Sequence, residues 1–164
     1  MREQTLEQFY EKDAIPALDD ALGHLEQEFQ KTRLEQKKKF TDCFRGICTN
    51  TAQLRGESKT GFLIFHLMRT KILNHQYSYP VISYDKEWYA NKEIMVGELD
   101  VSCYYKHYED LWKRLSRESR KYIDQFCEPD IEQLMLKLLD PFHKYVVELM
   151  RYSLLDALET EEYM

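Results

Sequence analysis

Apolar side chains recur at helical spacing through the first third of the chain, among acidic and basic residues. A first run falls before residue 30, and a second begins at Phe40, Phe44 and Ile47. This pattern predicts one helix over about residues 14–45, roughly 45 Å long. Because one domain does not need so long a helix, we expect it to project as an arm or to pair with a second copy of the chain. The residues expected at that interface are Leu18, Leu22, Leu25 and Phe29.

The strongest helical pattern lies between Tyr104 and Phe126. At about 100° per residue, an apolar stripe forms along one side of this segment and a basic face along the other. The stripe contains Tyr104, Tyr108, Leu111, Leu115, Tyr122 and Phe126, and the basic face contains Lys113, Arg114, Arg117, Arg120 and Lys121. Helix-start signals around Pro129 and Pro141 then predict two further helices before an acidic C-terminal segment.

The stretch between these helical patterns has a different character. Residues 46–61 contain three of the five glycines, together with Ser, Thr and Asn, which is typical of a loop. The run Phe62–Leu73 is apolar almost all round its first half, and its length and lack of Gly or Pro favour helix over strand. Residues 77–84 and 94–101 favour strands, with Pro80 expected on an edge or at a strand start.

Composition decides the fold class. The length of 164 residues suits one globular domain, and an aromatic content of 13% excludes a disordered chain. Five Gly and four Pro are too few for a turn-rich all-β fold. The predicted fold is α+β and predominantly α-helical, with four or five helices and a small antiparallel β-hairpin or meander near residues 77–101. A single domain is expected over residues 1–164.

The chain shows no secretory or membrane pattern. Its first ten residues lack the basic start and apolar core of a signal peptide, and no run of roughly 18 apolar residues is present. The four cysteines, Cys43, Cys48, Cys103 and Cys127, have no CxxC spacing, which is usual for thiols in a reducing compartment. We expect a cytoplasmic protein that does not associate with membranes.

The net charge of −6 conceals a segregated pattern. Residues 30–59 carry eight basic and three acidic side chains, whereas the segments before and after them are acidic. Basic helix faces beside tyrosine and tryptophan are one means of binding single-stranded nucleic acid. The pI of about 5.4 and the lack of a known nucleic-acid signature disfavour this function, which stays an alternative.

Two candidate ligand-binding motifs lack residues that the binding chemistry requires. Gly56 and Gly61 have the spacing of a phosphate-binding loop, but Phe62 stands where lysine must follow. Asp140 and His143 lie three residues apart on one helix face, yet a di-metal site in a helical bundle needs several such pairs. Asp140 is also explained as a helix cap.

A nucleophile motif is equally weak. Cys103 lies near a predicted helix start, where the helix dipole lowers a thiol pKa, and His107 follows four residues on. That spacing arises by chance on any helix. We therefore assign no catalytic residue, no metal ligand and no cofactor.

The segment from Tyr77 to Tyr108 holds seven of the twelve tyrosines. Tyr104 and Tyr108 belong to the predicted apolar stripe, whereas Tyr77, Tyr79, Tyr84 and Tyr89 lie on short strands or turns, where some must contact solvent. Large rings with a polar tip suit recognition of a partner or ligand. The expected binding residues are Tyr77, Tyr79, Tyr84, Trp88, Tyr89 and His107.

The favoured function is a non-catalytic interaction or regulatory module. We expect it to self-associate through its N-terminal helix and to present the tyrosine-rich hairpin to a protein partner or ligand. The alternative is a small-molecule sensor or enzyme with an aromatic pocket, lined by Tyr84, Trp88, Tyr89, Tyr104 and His107. A deep cavity with converging polar groups would favour this alternative, and a flat aromatic patch would favour the interaction module.

Overall fold

The computed structural model describes residues 2–56, 60–88, 93–122, 125–159 and 161, with the backbone alone for residues 2 and 3. Helix α1 (Arg2–Phe9) is followed by a π-helical turn (Tyr10–Ala14) and helix α2 (Ile15–Arg55). Next come strand β1 (Phe62–Phe65), helix α3 (Arg69–Leu73), strand β2 (Ser78–Tyr84) and strand β3 (Ile94–Asp100). The last elements are helix α4 (Ser102–Glu118), a 3-10 turn (Ser119–Lys121), helix α5 (Glu128–Lys137) and helix α6 (Asp140–Leu158).

The strands form one antiparallel sheet in the order β1-β2-β3. A bulge between Val81 and Ile82 shifts the β2–β3 register, so that Val81 pairs with Gly97 while Ile82 pairs with Met95. Four helices in the described ranges have ten or more residues. The predicted α+β fold is confirmed, and so are the two helices that begin near Pro129 and Pro141.

The chain divides into two compact units, each discontinuous in sequence. Unit 1 contains Met1–Lys31 and Cys103–Val146, and unit 2 contains Thr32–Ser102 and Val147–Met164. Helices α2 and α6 contribute residues to both units. The expectation of a single domain stays a prediction.

Aromatic rings fill the core of unit 1. Tyr108, on the predicted stripe of α4, is fully buried, and its ring meets Phe142 edge-on at 5.1 Å. Its hydroxyl donates to the carbonyl oxygen of Met135 at 2.8 Å, which avoids the cost of a buried unpaired donor. Phe9 meets Tyr122 edge-on at 5.4 Å. Edge-on ring pairs of this kind stabilise a core beyond the apolar area that they bury.

Helix α4 is shorter than the helix predicted over Tyr104–Phe126. It ends at Glu118, and after the 3-10 turn Tyr122 leaves the helical conformation. The Tyr122 hydroxyl donates to Asp13 Oδ2 at 2.7 Å, and this hydrogen bond raises the pKa of Tyr122. The apolar stripe therefore continues beyond the helix on a chain held by a tertiary hydrogen bond.

One face of the sheet packs on α2 in unit 2. Ile47, Val81 and Val96 form a buried cluster there. At Gly97 the strand approaches the helix so closely that a Cβ would lie 2.8 Å from Ile47 Cγ1. Asn50 on α2 donates to the Val96 carbonyl oxygen at 3.1 Å, which satisfies an acceptor on the edge of β3. The missing side chain at Gly97 thus sets the spacing of helix and sheet.

The loop predicted over residues 46–61 is wrong for residues 46–55, which continue α2. Thr51 is buried, and its hydroxyl donates to the Ile47 carbonyl oxygen at 2.7 Å, so its polar group is satisfied within the helix. The helix ends at Gly56, whose φ of 58° is left-handed and suits glycine. Packing of a helix face outweighs loop-like composition here.

The helix predicted over Phe62–Leu73 is also wrong in its first half. Residues Phe62–Phe65 form β1, and only Arg69–Leu73 is helical. Pairing with β2 supplies the hydrogen bonds of this short apolar run. Periodicity within a short apolar run does not reveal whether the run pairs with a strand elsewhere in the chain. The pattern therefore could not distinguish a strand from a helix at residues 62–65.

Pro80 lies within the central strand β2, not on an edge or at a strand start as predicted. Its carbonyl oxygen accepts the N–H of His66 at 2.9 Å, just after β1 has ended. Because the N–H and C=O of one residue point to the same side of a strand, the donor that proline lacks would also face this side. Proline at position 80 therefore removes no hydrogen bond between β2 and β3.

We expect Gly97→Ala to lower the free energy of unfolding by about 1–3 kcal/mol, since the added methyl overpacks the contact with Ile47. The matched control is Gly46→Ala in α2, where a Cβ meets nothing within 4 Å. That change should stabilise the protein by about 0.5–1 kcal/mol. Urea denaturation measures both, and a Gly97→Ala protein as stable as the wild type would contradict the close approach.

Candidate functional site

The sheet face turned away from α2 is apolar. Side chains alternate between the two faces along a strand. Because Val81 and Val96 pack on Ile47 of α2, with Leu63, Phe65 and Ile94 beside them, the strand residues that alternate with these point the other way. We name this surface the outer sheet face, and it consists of Phe62, Ile64, Ile82 and Met95.

The outer sheet face is continuous across the three strands. Ile64 lies opposite Ile82, and Ile82 lies opposite Met95. Met95 is 58% exposed and Phe62 is 40% exposed. Single exposed apolar residues are ordinary on protein surfaces, whereas adjacent ones are less common.

Trp88 extends this face beside Phe62. The two rings meet edge-on with centroids 4.3 Å apart, and Trp88 also stacks on Tyr84 at 5.9 Å. Tyr84 is 2% exposed, and its hydroxyl donates to Glu93 Oε2 at 3.1 Å. Trp88 has a φ of 58°, a left-handed conformation that bulky residues rarely adopt. Such conformations persist at sites where the position of a side chain matters more than its backbone cost.

The turn that carries Trp88 is held by several hydrogen bonds. Asp85 Oδ1 accepts the N–H of Glu87 at 2.9 Å, and the Asp85 carbonyl oxygen accepts the N–H of Trp88 at 3.2 Å. Gly61 passes so near that a Cβ would lie 2.5 Å from the Asp85 backbone. Its N–H donates to the Tyr84 carbonyl oxygen at 2.8 Å. The Trp88 ring is therefore placed by a fixed backbone.

Helix α2 also anchors this end of the sheet. Its last residue, Arg55, donates through its guanidinium to the hydroxyl and to the carbonyl oxygen of Ser83. Ser83 is fully buried in the central strand, so both of its oxygens need a partner. Tyr84 and Trp88, two of the residues expected at the site, follow Ser83 along the chain.

The remaining tyrosines expected at the site lie elsewhere. Tyr79 points to the α2 side and is 1% exposed, which corrects its expected role at an open surface. Tyr77 precedes β2 and is half-buried, with its hydroxyl 3.5 Å from His75 Nδ1. Tyr89 lies outside the described residues. Sequence reasoning missed the apolar members of the outer sheet face, because it assigned Phe62 to a helix.

His107 belongs to unit 1. Its Nε2 lies 2.6 Å from Glu28 Oε2, and its ring stacks on His24 with centroids 6.1 Å apart. Tyr104 is buried on the same helix, and this burial raises the pKa of its hydroxyl. The hypothesis of one aromatic pocket combined these two residues with Tyr84 and Trp88 of unit 2, so neither unit contains the whole set.

The apolar seam expected at an oligomer interface is used inside unit 1. Leu25 is 1% exposed, and Leu18 and Phe29 are buried as well. Phe29 meets the Tyr145 ring at 5.5 Å, and Leu22 is half-buried. Side chains covered by their own chain are not available to a second copy. Of the four residues expected at the interface, Leu22 alone is partly accessible.

All four cysteines lie in the described ranges and are thiols. Burial raises the pKa of Cys43, and the nearby Asp100 carboxylate raises it further. Cys127 is exposed and caps α5, with its Sγ 3.0 Å from Asp130 Oδ2. Cys103 is half-buried in the first turn of α4. Within the described part of the chain, no three His, Cys, Asp or Glu side chains converge to hold a metal ion.

Carboxylates neutralise part of the basic face of α4. Arg114 lies 2.9 Å from Asp20 Oδ2, and Lys121 pairs with Glu118. Exposed pairs contribute little to stability. They do remove positive charge that contact with a phosphate backbone would need.

Unit 1 contains a cavity of about 300 Å³, which is at the small end for ligand pockets. Its apolar lining is formed by Leu6, Phe9, Tyr10, Phe126 and Leu134, and its polar lining by Glu7, Asp130, Gln133 and Lys137. Tyr10 begins the π-helical turn, and such turns are frequent at functional sites. The cavity was not expected from the sequence.

Comparison of the chain with models of protein families, with curated proteins and with solved structures finds no match. Among the described helices, none has the length and apolar content needed to cross a membrane. Function must be inferred from the geometry of each unit.

We expect iodoacetamide at about pH 7.5 to modify Cys127 first, because the reagent attacks thiolates and the Cys127 side chain is exposed to it. Cys43 should react slowly because its raised pKa and partial burial reduce its thiolate population and access. Peptide mass spectrometry over time gives the order. Labelling of Cys43 ahead of Cys127 in the folded protein would contradict the assigned environments, and labelling in urea provides the control for intrinsic reactivity.

Proposed function

We propose that the protein is a non-catalytic interaction module of the cytoplasm that presents its outer sheet face to a partner protein or ligand. The observation that carries this proposal is the continuous apolar row from Ile64 through Ile82 to the 58% exposed Met95. Phe62 and Trp88 extend the same surface with paired aromatic rings.

The energetics support binding at this face. Full burial of a Phe or Met side chain is favourable by about 1.5–3 kcal/mol. Trp88 adds an aromatic ring whose position is already fixed by the turn, so little side-chain entropy is lost on binding. Aromatic residues of this kind are frequent among the few residues that dominate an interface.

The thiols support the cytoplasmic assignment. Cys127 is exposed, and an exposed thiol is maintained in a reducing compartment.

We expect Met95→Glu to abolish partner binding while leaving the fold intact, because it places a charge in the middle of the apolar row on an exposed position. The matched control is Leu54→Glu on α2, where the leucine is 57% exposed and lies outside the outer sheet face. Immobilised wild type and both variants are incubated with cell extract, and bound proteins are quantified by mass spectrometry. The set retained by wild type and Leu54→Glu should be lost from Met95→Glu.

Tryptophan fluorescence locates the contact for any partner recovered. Trp112 is buried in unit 1, so a binding-induced emission change should come from Trp88 and vanish in Trp88→Phe. If a folded Met95→Glu protein retains every partner, the outer sheet face is not the binding surface.

A second candidate function, binding of a small apolar ligand, is favoured by the cavity in unit 1. Aromatic side chains dominate its apolar lining, and the polar side chains supply contacts for a ring nitrogen. This proposal does not involve the residues of the outer sheet face.

Indole tests this second candidate. We expect millimolar indole to raise the melting temperature of the wild type, but not of Leu134→Trp, whose own indole ring fills the cavity. Leu154→Trp on an exposed position of α6 is the control and should keep the shift. An equal shift in wild type and Leu134→Trp would place indole binding elsewhere and remove this candidate.

A further inference from the structure

Helices α2 and α6 lie side by side within unit 2. Lys37 Nζ is 2.8 Å from Asp156 Oδ2. The Tyr152 ring on α6 receives two cations from α2, with Arg33 Cζ at 4.7 Å and Lys37 Nζ at 4.8 Å from its centroid. These contacts fix which side of each helix faces its neighbour, and therefore which side remains outside.

The outer sides of the two helices each carry a prominent leucine. Leu34 on α2 is 72% exposed, and Leu155 on α6 is 74% exposed. Residues four apart share one face of a helix. Lys38 therefore accompanies Leu34. Glu159 directly follows the last residue of α6 and accompanies Leu155, whose carbonyl oxygen accepts the Glu159 N–H at 3.2 Å. We name the first pair the α2 face and the second pair the α6 face. The hydrogen bond to Asp156 raises the pKa of Lys37 and the Glu159 carboxylate raises it further, so Glu159 lies at the edge of the α6 face nearest to α2.

The two faces have opposite charge. The exposed Lys38 makes the α2 face cationic, and the exposed Glu159 makes the α6 face anionic, whereas Lys37 and Asp156 are used in the contact between the two helices. Each face thus has an exposed leucine beside a charge that complements the other face. Charge complementarity around an apolar contact sets both the register and the specificity of a protein interface.

We propose that two copies of the chain associate about a twofold axis, with the α2 face of each copy packed on the α6 face of the other. In a twofold dimer a contact made in one direction is repeated in the other. Each copy carries both faces, so the dimer contains the same interface twice. Each of the two interfaces has one apolar contact and one ion pair. This dimer is independent of the outer sheet face and of the cavity.

The experiment uses charge reversal and native mass spectrometry at tens of micromolar. The wild type should be dimeric. Lys38→Glu places like charges opposite each other at both repeats, and so does Glu159→Lys, so each variant alone should weaken dimerisation roughly tenfold or more. An equimolar mixture of the two variants should form the heterodimer, because one of its ion pairs is then the wild-type pair and the other is the same pair with its charges exchanged.

The controls separate this surface from general effects. Lys113→Glu changes the net charge equally at an exposed position of α4 and should leave the dimer intact. Leu34→Ser should weaken the dimer without changing charge. High salt should weaken the wild-type dimer by screening the ion pairs.

Three results would overturn the proposal. One is a wild type that stays monomeric at about 100 micromolar, and another is a mixture of the two reversal variants that fails to recover the dimer. The third is a monomeric wild type that retards a single-stranded oligonucleotide and loses this binding in Lys38→Glu. That outcome would assign the α2 face to nucleic acid.

Discussion

The close approach of Gly97 to Ile47 decides the arrangement of unit 2. A side chain at position 97 would push β3 away from α2 and open the cluster that holds Val81 and Val96. Because α2 covers one face of the sheet, the side chains that alternate with this cluster point away from it. The Asn50 hydrogen bond to Val96 satisfies one of the acceptors at the edge of β3, so helix and strand are joined by a polar contact beside the apolar cluster.

Elements with local signals could be predicted from the sequence. Helix α5 has Pro129 in its first turn and a cap formed by the side chains of Cys127 and Asp130. In α4, the apolar stripe repeats at helical spacing. The end of α2 and the identity of β1 depend on distant partners. Asn50 finds its acceptor 46 residues further along, and no local pattern carries that information.

Two of the tyrosines expected at the candidate site are buried, and their burial has physical causes that the sequence does not display. Tyr79 is buried on the side of the sheet that faces α2. Tyr84 is buried on the opposite side, where Trp88 covers it. A bulge in β3 shifts the β2–β3 register between these two tyrosines. Burial of this kind depends on pairing that the sequence does not display. At Leu34 the reverse holds, since an apolar residue isolated among charges is the one left outside.

The boundaries between the two units have a consequence for how this protein can be divided. Lys31 and Thr32 lie in the interior of α2, Val146 and Val147 lie in the interior of α6, and the third boundary falls at the start of α4. Domain boundaries usually fall in exposed linkers, where a cut breaks few hydrogen bonds. Here a cut severs helix interiors. Each unit is made of two separate stretches of the chain, so neither can be expressed, transplanted or recombined as one contiguous segment.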